Sequence, residues 1–428
     1  PYRQSERLPI YRAHADRLIE AGRAYYCFCS KEKIEADREA ALAAGRSPNY
    51  SGTCREIPLA EARARRDAGE PAAIRFRVPL SRDVVFHDAV RGEVRFNTDV
   101  IGDPVIVRSE GVPAYNFAVV VDDATMGVTH VIRGEDHISN TPRQMLLYEA
   151  LGYTPPTFAH LAMVMGPDHT KLSKRHGATS VAEFRAKGYL PEALVNYLAL
   201  VGWSPRVSAQ DKDESELLPV QELARRFSLD HVSLSAGVFD EEKLAWVNRH
   251  YLKSAAPERL AQLVIPFFEA AGMRVAPTPE AMRYLALVLP IATAVVDRLD
   301  QVPARLDFLF DYSPHAALAT DSVREEMSAE AARAVVTALV EELGGGAIGD
   351  RARFREIANA VKARTGQKGK ALFHPIRVVL MGKPDGPELD LAVPAIDAGA
   401  ALGVDAGLPP IMSTRDRARA FLDALNEA

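Results

Sequence analysis

The run Val128-Thr129-His130-Val131-Ile132 is apolar and β-branched, and it passes without a spacer into Arg133-Gly134-Glu135-Asp136-His137. Such a run reads as a buried strand, and the charged cluster then falls at its carboxyl end. In an open α/β sheet ligands collect at the carboxyl ends of the strands, so Arg133 to His137 are expected to line a ligand site. Met145, Leu146, Tyr148 and Leu151 follow at helical spacing, which completes a strand, loop and helix in order.

Working outward, the front of the chain is mixed. Tyr11, Ala15, Leu18 and Ile19 share one helical face, with Gly22 placed to end the helix in a left-handed conformation. Tyr25-Tyr26-Cys27-Phe28-Cys29 is a short aromatic segment, and a charged helical run extends from Lys31 to about Gly45. Ile74, Phe76 and Val78 alternate with Arg75 and Arg77 as in a strand, and Pro104 to Arg108, followed by Glu110-Gly111 and Val112, predicts a hairpin. Beyond about Lys253 the chain becomes helical: Pro257 to Ala271, Pro279 to Leu299, Ala329 to Leu343 and Arg351 to Thr365 carry apolar residues at helix-compatible spacing, with Gly or Pro between them. Ser208 to Glu216 is polar and reads as a surface loop.

At 428 residues the chain predicts more than one core. Its 47% apolar and 25% charged content is that of a water-soluble protein, and no apolar run approaches the roughly 18 residues that span a bilayer. With no secretory signal pattern, a cytoplasmic location is expected, without membrane contact. A net charge of −5 argues against a uniformly basic coat but leaves room for local basic patches. Three cysteines do not suggest a disulfide framework. No methionine precedes Pro1, which reads as a processed chain or one whose start lies upstream.

A second polar segment, Gly166-Pro167-Asp168-His169-Thr170, leads into Lys171-Leu172-Ser173-Lys174-Arg175. A lysine-rich loop by itself is ordinarily a solvated surface. Two lysines three residues apart can instead follow phosphate oxygens as charge moves from nucleophile to leaving group. Arg133 and Tyr115 facing a cleft could hold an amino-acid carboxylate and the stem beside it, although charged residues at a strand end also serve as structural ion pairs. Phosphate-binding lysines together with a carboxylate-binding arginine suggest a carboxylate activated by ATP.

These segments resemble bacterial glutamyl-tRNA synthetases, which are class I aminoacyl-tRNA synthetases. The matching residues are Arg3-Gln4-Ser5-Glu6-Arg7, Tyr115 to Asp123, Val131 to Gln144 and Lys171 to Arg175, with looser likeness at Gly369 to Arg377 and Gly386 to Leu389. The resemblance implies a partial Rossmann-type α/β catalytic domain over residues 1–250. It carries an inserted α+β domain (about 12–112) for the tRNA acceptor end and a stem-contact segment (about 137–250). An all-α anticodon-binding region follows over 251–428, in two modules (about 251–310 and 311–428). It implies ATP with Mg2+, L-glutamate and tRNA(Glu) as substrates, and a monomer is expected. By resemblance, Lys171 and Lys174 are catalytic, and Lys171, Ser173, Lys174, Arg175 and Asp136 bind ATP. Tyr115 and Arg133 fall on glutamate-binding positions. In some members an asparagine four residues after the tyrosine also contacts glutamate; here Val119 stands there.

Between Asp350 and Lys383 nine Lys/Arg face two acids, a patch able to follow a phosphate backbone. Arg351, Arg353, Arg355, Lys362, Arg364, Lys368, Lys370 and Arg377 are the candidate tRNA contacts; the plain alternative is a solvated helical face. Cys27, Cys29 and Cys54 match positions where some members bind zinc. The fourth position, two after Cys54, is Glu56, a poor ligand beside thiolates, so packed thiols are the favoured reading over a zinc site. The helical tail separates the chain from glutaminyl-tRNA synthetases, expected to carry β-barrel anticodon domains, and a catalytically dead tRNA-binding paralogue is the other alternative. The family's first ATP-binding signature, a His-Ile-Gly-His-like tetrapeptide, is absent from the 428 residues. An N-terminally incomplete synthetase is therefore expected, and the polypeptide beginning at Pro1 should not form glutamyl-adenylate alone; appreciable tRNA-dependent ATP–pyrophosphate exchange by it would contradict this.

Overall fold

The computed structural model describes residues 3–205 and 216–427, so residues 208–215 of the expected surface loop lie outside the described residues. By internal contacts the chain divides into two units. The first takes 3–171, 200–205 and 224–239, and the second takes 172–199, 216–223 and 240–427.

The first unit is α/β and holds two sheets. Helix α1 (Leu8–Glu20) buries Tyr11, Ala15, Leu18 and Ile19, the face read from spacing, and Gly22 follows it at φ +68°. Strand β1 (Ala24–Cys27) pairs antiparallel with β2 (Ala73–Phe76), which pairs in turn with β5 (Val105–Val107). Between β1 and β2 lie α2 (Lys31–Ala43), whose Ser30 cap accepts from the Lys33 backbone N–H, and α3 (Leu59–Asp67). The expected hairpin at 104–112 has only one strand arm. Arg108 donates its backbone N–H to the Val112 carbonyl at 2.8 Å, and Val107 meets Pro113 in a single bridge, because proline has no N–H with which to extend a ladder.

The second sheet has the order β4-β3-β7-β6. Strands β3 (Asp83–Asp88) and β4 (Gly92–Asn97) form an antiparallel hairpin, while β7 (Thr157–Leu161) runs parallel to both β3 and β6 (His130–Gly134). Strand β3 alternates strictly between exposed and buried, and Asp88 is its last buried residue. Helix α4 (Tyr115–Met126) packs Phe117, Ala118, Val120 and Val121 into the core, and α5 (Thr141–Leu151) packs Leu146, Leu147, Tyr148 and Leu151. One reading is corrected here. Residues 128–132 are not a buried strand: His130 is exposed, Val131 half-buried and Ile132 47% exposed. Among the described residues β6 pairs with β7 alone, so it is an end strand with one edge uncovered.

In the second unit every described element is helical. The predicted helices appear as Pro257–Ala270, Pro279–Thr293, Glu330–Glu342 and Arg351–Thr365. The second stops six residues before Leu299, where the chain turns and Gln301 Oε1 accepts from the Asp297 backbone N–H at 2.8 Å. No helix among the described residues is long and apolar enough to cross a membrane. The core joins Leu285, Val288, Leu306, Val335, Val379 and Phe421.

Inside that core lies Arg417, fully buried, with no carboxylate among its hydrogen-bond partners. Nη1 donates to the carbonyls of Phe308 (2.7 Å) and Leu380 (2.8 Å), Nη2 to Leu309 (2.9 Å) and Nε to Met412 (2.9 Å). Phe308, Leu309 and Leu380 sit in the last turns of helices Val302–Phe310 and Lys370–Met381, whose carbonyls lack intrahelical donors and carry the negative end of the helix dipole. Burial holds the guanidinium below its ordinary pKa, down to about 10, and Tyr312, with its ring 4.5 Å away, opposes that shift. Arg417→Met would leave these carbonyls without donors. Urea denaturation should show a loss of at least about 3 kcal/mol, with Arg417→Lys restoring little because an ammonium cannot span both helix ends; an unchanged midpoint would contradict the clasp.

Candidate active site

The carboxyl ends of three adjacent strands meet in the first unit. Register pairs Arg133 on β6 with His160 on β7, and β7 runs beside β3, which ends in Asp88. Asp88 is wholly buried. Its Oδ1 accepts from the backbone N–H groups of Val90 (3.0 Å), Arg91 (2.9 Å) and His160 (3.2 Å), and its Oδ2 lies 2.6 Å from His160 Nδ1. Burial works against the carboxylate, but the His160 bond and the backbone donors prevail and hold Asp88 below its usual range. His160 is also buried completely, and burial lowers its pKa despite Asp88, with Arg133 and Arg91 adding to the effect. The ring is therefore neutral near pH 7. With Nδ1–H donating to Asp88, Nε2 is left as an acceptor.

Arg133 uses that acceptor. Its Nε donates to His160 Nε2 at 3.1 Å, and its Nη2 donates to Thr141 Oγ1 and Gln144 Oε1, both at 2.8 Å. Gln144 in turn donates to Asn116 Oδ1 at 2.9 Å. The Nη1 group meets no acceptor at hydrogen-bond distance among the described residues. Burial depresses the Arg133 pKa, with Tyr115 and Asp123 opposing it. Tyr115 opens α4, half-exposed, with its ring centroid 6.1 Å from that of His137. A half-buried cation bound by neutral acceptors and facing a tyrosine is suited to a carboxylate ligand.

The neighbouring acids have separate roles. Glu135 pairs with Arg91 and accepts from the Met163 backbone N–H at 3.2 Å, so it ties the loop together. Asp136 is exposed and lies 3.1 Å from Lys171 Nζ, whose hydrogen bond lowers the carboxyl pKa. Gly134 permits this turn: a Cβ there would sit 2.7 Å from Asp136 Oδ1 and 3.2 Å from Met163 Sδ. Lys171 itself lies after a tight turn in which Gly166 donates to the Thr170 carbonyl at 2.8 Å. Ser173, Lys174 and Arg175 belong to the second unit, where a short 3-10 turn, Lys174–His176, is capped by Ser173. Lys174 is exposed there, with no ion-pair partner among the described residues.

The cysteines converge. Cys27, Cys29 and Cys54 place their sulfurs within 4.8 Å of one another, with Cys29 and Cys54 3.6 Å apart. The fourth group is Tyr50, its hydroxyl 3.4 Å from Cys27 Sγ and 3.3 Å from Cys29 Sγ. Glu56 is exposed instead, paired with Arg55 and Arg77. Burial opposes ionisation at Cys27, but hydrogen bonds from Tyr50 and Arg75 bring its pKa below the ordinary thiol value, whereas burial raises Cys29 to about 11. The Arg75 guanidinium stacks 3.9 Å over the Tyr50 ring.

In the second unit the basic patch is partly neutralised. Arg353 pairs with Glu356, Arg355 with Asp390, Arg364 with Glu341 and Glu342, and Lys383 with Asp307. Arg377 donates to the Pro387 carbonyl at 2.5 Å. Arg351, Lys362, Lys368 and Lys370 are exposed without ion-pair partners among the described residues. Sequence reasoning missed Asp88, His160, Thr141 and Tyr50. Their only sequence signal was a histidine set inside a short apolar strand, and an aspartate closing a strictly alternating one.

Comparison with known proteins gives the family. Residues 1–246 match the family described as tRNA synthetases class I (E and Q), catalytic domain, and residues 259–399 match an anticodon binding domain. The chain is 43% identical to the glutamate–tRNA ligase of Carboxydothermus hydrogenoformans over 91% of its own length and 79% of that relative. It is 42% identical to that of Desulforamulus reducens, over 92% and 81%. A crystal structure of a glutamate tRNA ligase from Elizabethkingia meningosepticum in complex with its amino acid superposes with a TM-score of 0.77 at 26% identity, covering 99% of this chain and 84% of that one. The catalytic-domain match over more than half of the chain and relatives above 40% identity agree, and the chain belongs to the glutamate–tRNA ligases, class I aminoacyl-tRNA synthetases.

Proposed function

We propose that the protein joins L-glutamate to the 3′ end of tRNA(Glu) at the expense of ATP, with Arg133 and Tyr115 holding the amino acid. A carboxylate oxygen of glutamate attacks the α-phosphorus, the bond to the β,γ-pyrophosphate breaks, and glutamyl-adenylate forms. A hydroxyl of the terminal ribose then attacks the activated carbonyl, AMP leaves, and the hydroxyl proton is lost. Neither step needs a protein nucleophile, so the work of the residues is positioning and charge stabilisation. The observation that carries the reading is Arg133: a half-buried cation held by His160, Thr141 and Gln144, none of them charged, with Nη1 uncommitted.

On the nucleotide side we assign Lys171, Ser173, Lys174, Arg175 and Asp136 to ATP. Lys174 is the residue proposed to stabilise the transferring phosphate, and Lys171, bridged to Asp136, to shape the loop. Mg2+ accompanying ATP would neutralise phosphate charge. Residues 12–112 are proposed to receive the acceptor end, 137–250 the stem and 251–428 the anticodon arm, where Arg351, Lys362, Lys368 and Lys370 offer free cations and Arg353, Arg355, Arg364 and Arg377 would exchange present partners for phosphates.

The cysteine cluster supports a structural zinc that the sequence reading disfavoured. Tetrahedral zinc at about 2.3 Å from each sulfur sets sulfurs close to 3.8 Å apart, near the 3.6 Å between Cys29 and Cys54, and the Tyr50 hydroxyl, 3.3 Å from Cys29 Sγ, is the group we assign as the fourth ligand. Such a metal would tie the end of β1 to the turn at 50–54.

Aminoacylation of tRNA(Glu) by the enzyme expressed from its native gene should proceed with glutamate and not with glutamine; charging with glutamine would overturn the assignment. Lys174→Ala should lower kcat about a hundredfold, near 3 kcal/mol, and retention of full rate would remove it from the transition state. Elemental analysis of freshly purified protein should find one zinc per chain, with Tyr50→Phe and Cys54→Ser each releasing it more readily to a chelator; metal-free protein of unchanged thermal stability would leave packed thiols as the reading.

A further inference from the structure

The Asp88–His160 pair lies behind the guanidinium, buried away from solvent, yet it gathers a dense set of polar contacts. Asp88 receives three backbone N–H groups and the imidazole, and both side chains are fully buried. The tight β3–β4 turn needs the Asp88 carboxylate as acceptor for its backbone N–H groups, but it does not need a histidine on β7. What the histidine adds is one lone pair, at Nε2, directed at Arg133 Nε. The Thr141 hydroxyl, 3.1 Å from Nε2 and accepting from Arg133 Nη2, closes a triangle around the same edge of the guanidinium.

An arginine has five N–H groups and four rotatable bonds, so fixing its plane requires acceptors on more than one nitrogen. Here three N–H groups are taken, by His160, Thr141 and Gln144, and the pair on Nη1 is left. A carboxylate in place of His160 would fix the plane as well, but it would neutralise the charge the ligand needs. A histidine with Nε2 protonated would present a donor to a donor. A neutral acceptor is the remaining solution, and the Asp88 carboxylate selects the tautomer that supplies it.

We infer that Asp88 and His160 are positioning residues for glutamate: Asp88 holds His160 as the Nδ1–H tautomer, and His160 Nε2 fixes the Arg133 guanidinium with Nη1 turned to the amino-acid carboxylate. This rests on the reading of Arg133 as the glutamate ligand. The three side chains come from three neighbouring strands, β3, β7 and β6, so the sheet register itself sets their order.

His160→Asn retains a donor to Asp88 but cannot reach Arg133, whereas His160→Gln can present an amide oxygen near the position of Nε2. In aminoacylation by the enzyme expressed from its native gene, His160→Asn should raise the KM for glutamate roughly tenfold or more while the KM values for ATP and tRNA stay near wild type. His160→Gln should recover much of the loss. Asp88→Asn, which offers an amide donor to Nδ1 and so favours the Nε2–H tautomer, should resemble His160→Asn. In the wild-type protein, nitrogen NMR of labelled histidine should show Nδ1 protonated and Nε2 bare at His160, a readout independent of any variant's folding. An Nε2–H tautomer, a Gln variant as poor as Asn, or equal shifts in all three KM values would overturn the inference. Arg133→Ala separates the two layers: a glutamate KM unmoved by that change sinks the ligand reading itself, and a raised one alongside an unaffected His160→Asn sinks only the positioning role.

Discussion

Two guanidinium groups, the half-buried one of Arg133 and the fully buried one of Arg417, are held in the two units of this protein without an ion pair. At Arg133 the acceptors are an imidazole, a hydroxyl and an amide; at Arg417 they are four backbone carbonyls. Burying a cation costs several kcal/mol, and a carboxylate partner would recover part of that by cancelling the charge. Neutral acceptors satisfy the N–H groups and leave the charge in place. At Arg417 the retained charge meets the negative ends of two helices, and at Arg133 it is available to a ligand. Similar chemistry thus holds a fold together in one unit and shapes the proposed glutamate site in the other.

The sheet makes the site possible. Parallel pairing of β7 with β3 on one side and β6 on the other brings together residues 72 and 27 positions apart in the chain. Helix α5 adds Thr141 and Gln144 from its first turn, and α4 adds Asn116 and Tyr115 from its own. Four elements therefore converge on one side chain, and the network from Asn116 through Gln144 to Arg133 and on to His160 and Asp88 is continuous. Because each member has a partner on both sides, local rearrangement of one would leave another buried polar group unmet.

Much of this was legible in the sequence, and the limits have physical causes. Period and punctuation gave α1, the charged α2 and the helices of the second unit, because each carries its own amphipathic face and its own caps. Arg133 and Asp136 were visible because they follow an apolar run directly, and the motif residues from Tyr115 to Gln144 carried the family. The exposure of β6 was not legible, since an apolar run is the same whether it lies in the middle of a sheet or at its end. Asp88, His160 and Tyr50 were missed for a related reason. Each acts through a non-local pairing, and a lone histidine or tyrosine in an apolar segment looks like core until the neighbouring strand is known. Glu56, two residues past Cys54, pairs with arginines instead, and the side chain that meets the sulfurs is Tyr50, four residues before Cys54.

The strict alternation of β3 bears on how this protein can change over generations. Asp88 ends a strand of six residues in which every second side chain is buried, and the following turn donates two backbone N–H groups to the same carboxylate. Substitutions on the exposed positions Asp83, Val85 and His87 alter little beneath them. A single inserted or deleted residue between Asp83 and Asp88 would turn the aspartate to solvent, bring its neighbour inside and break the turn in one event. The hairpin can therefore drift in composition while its length stays frozen, so that its spacing would persist long after its letters had diverged.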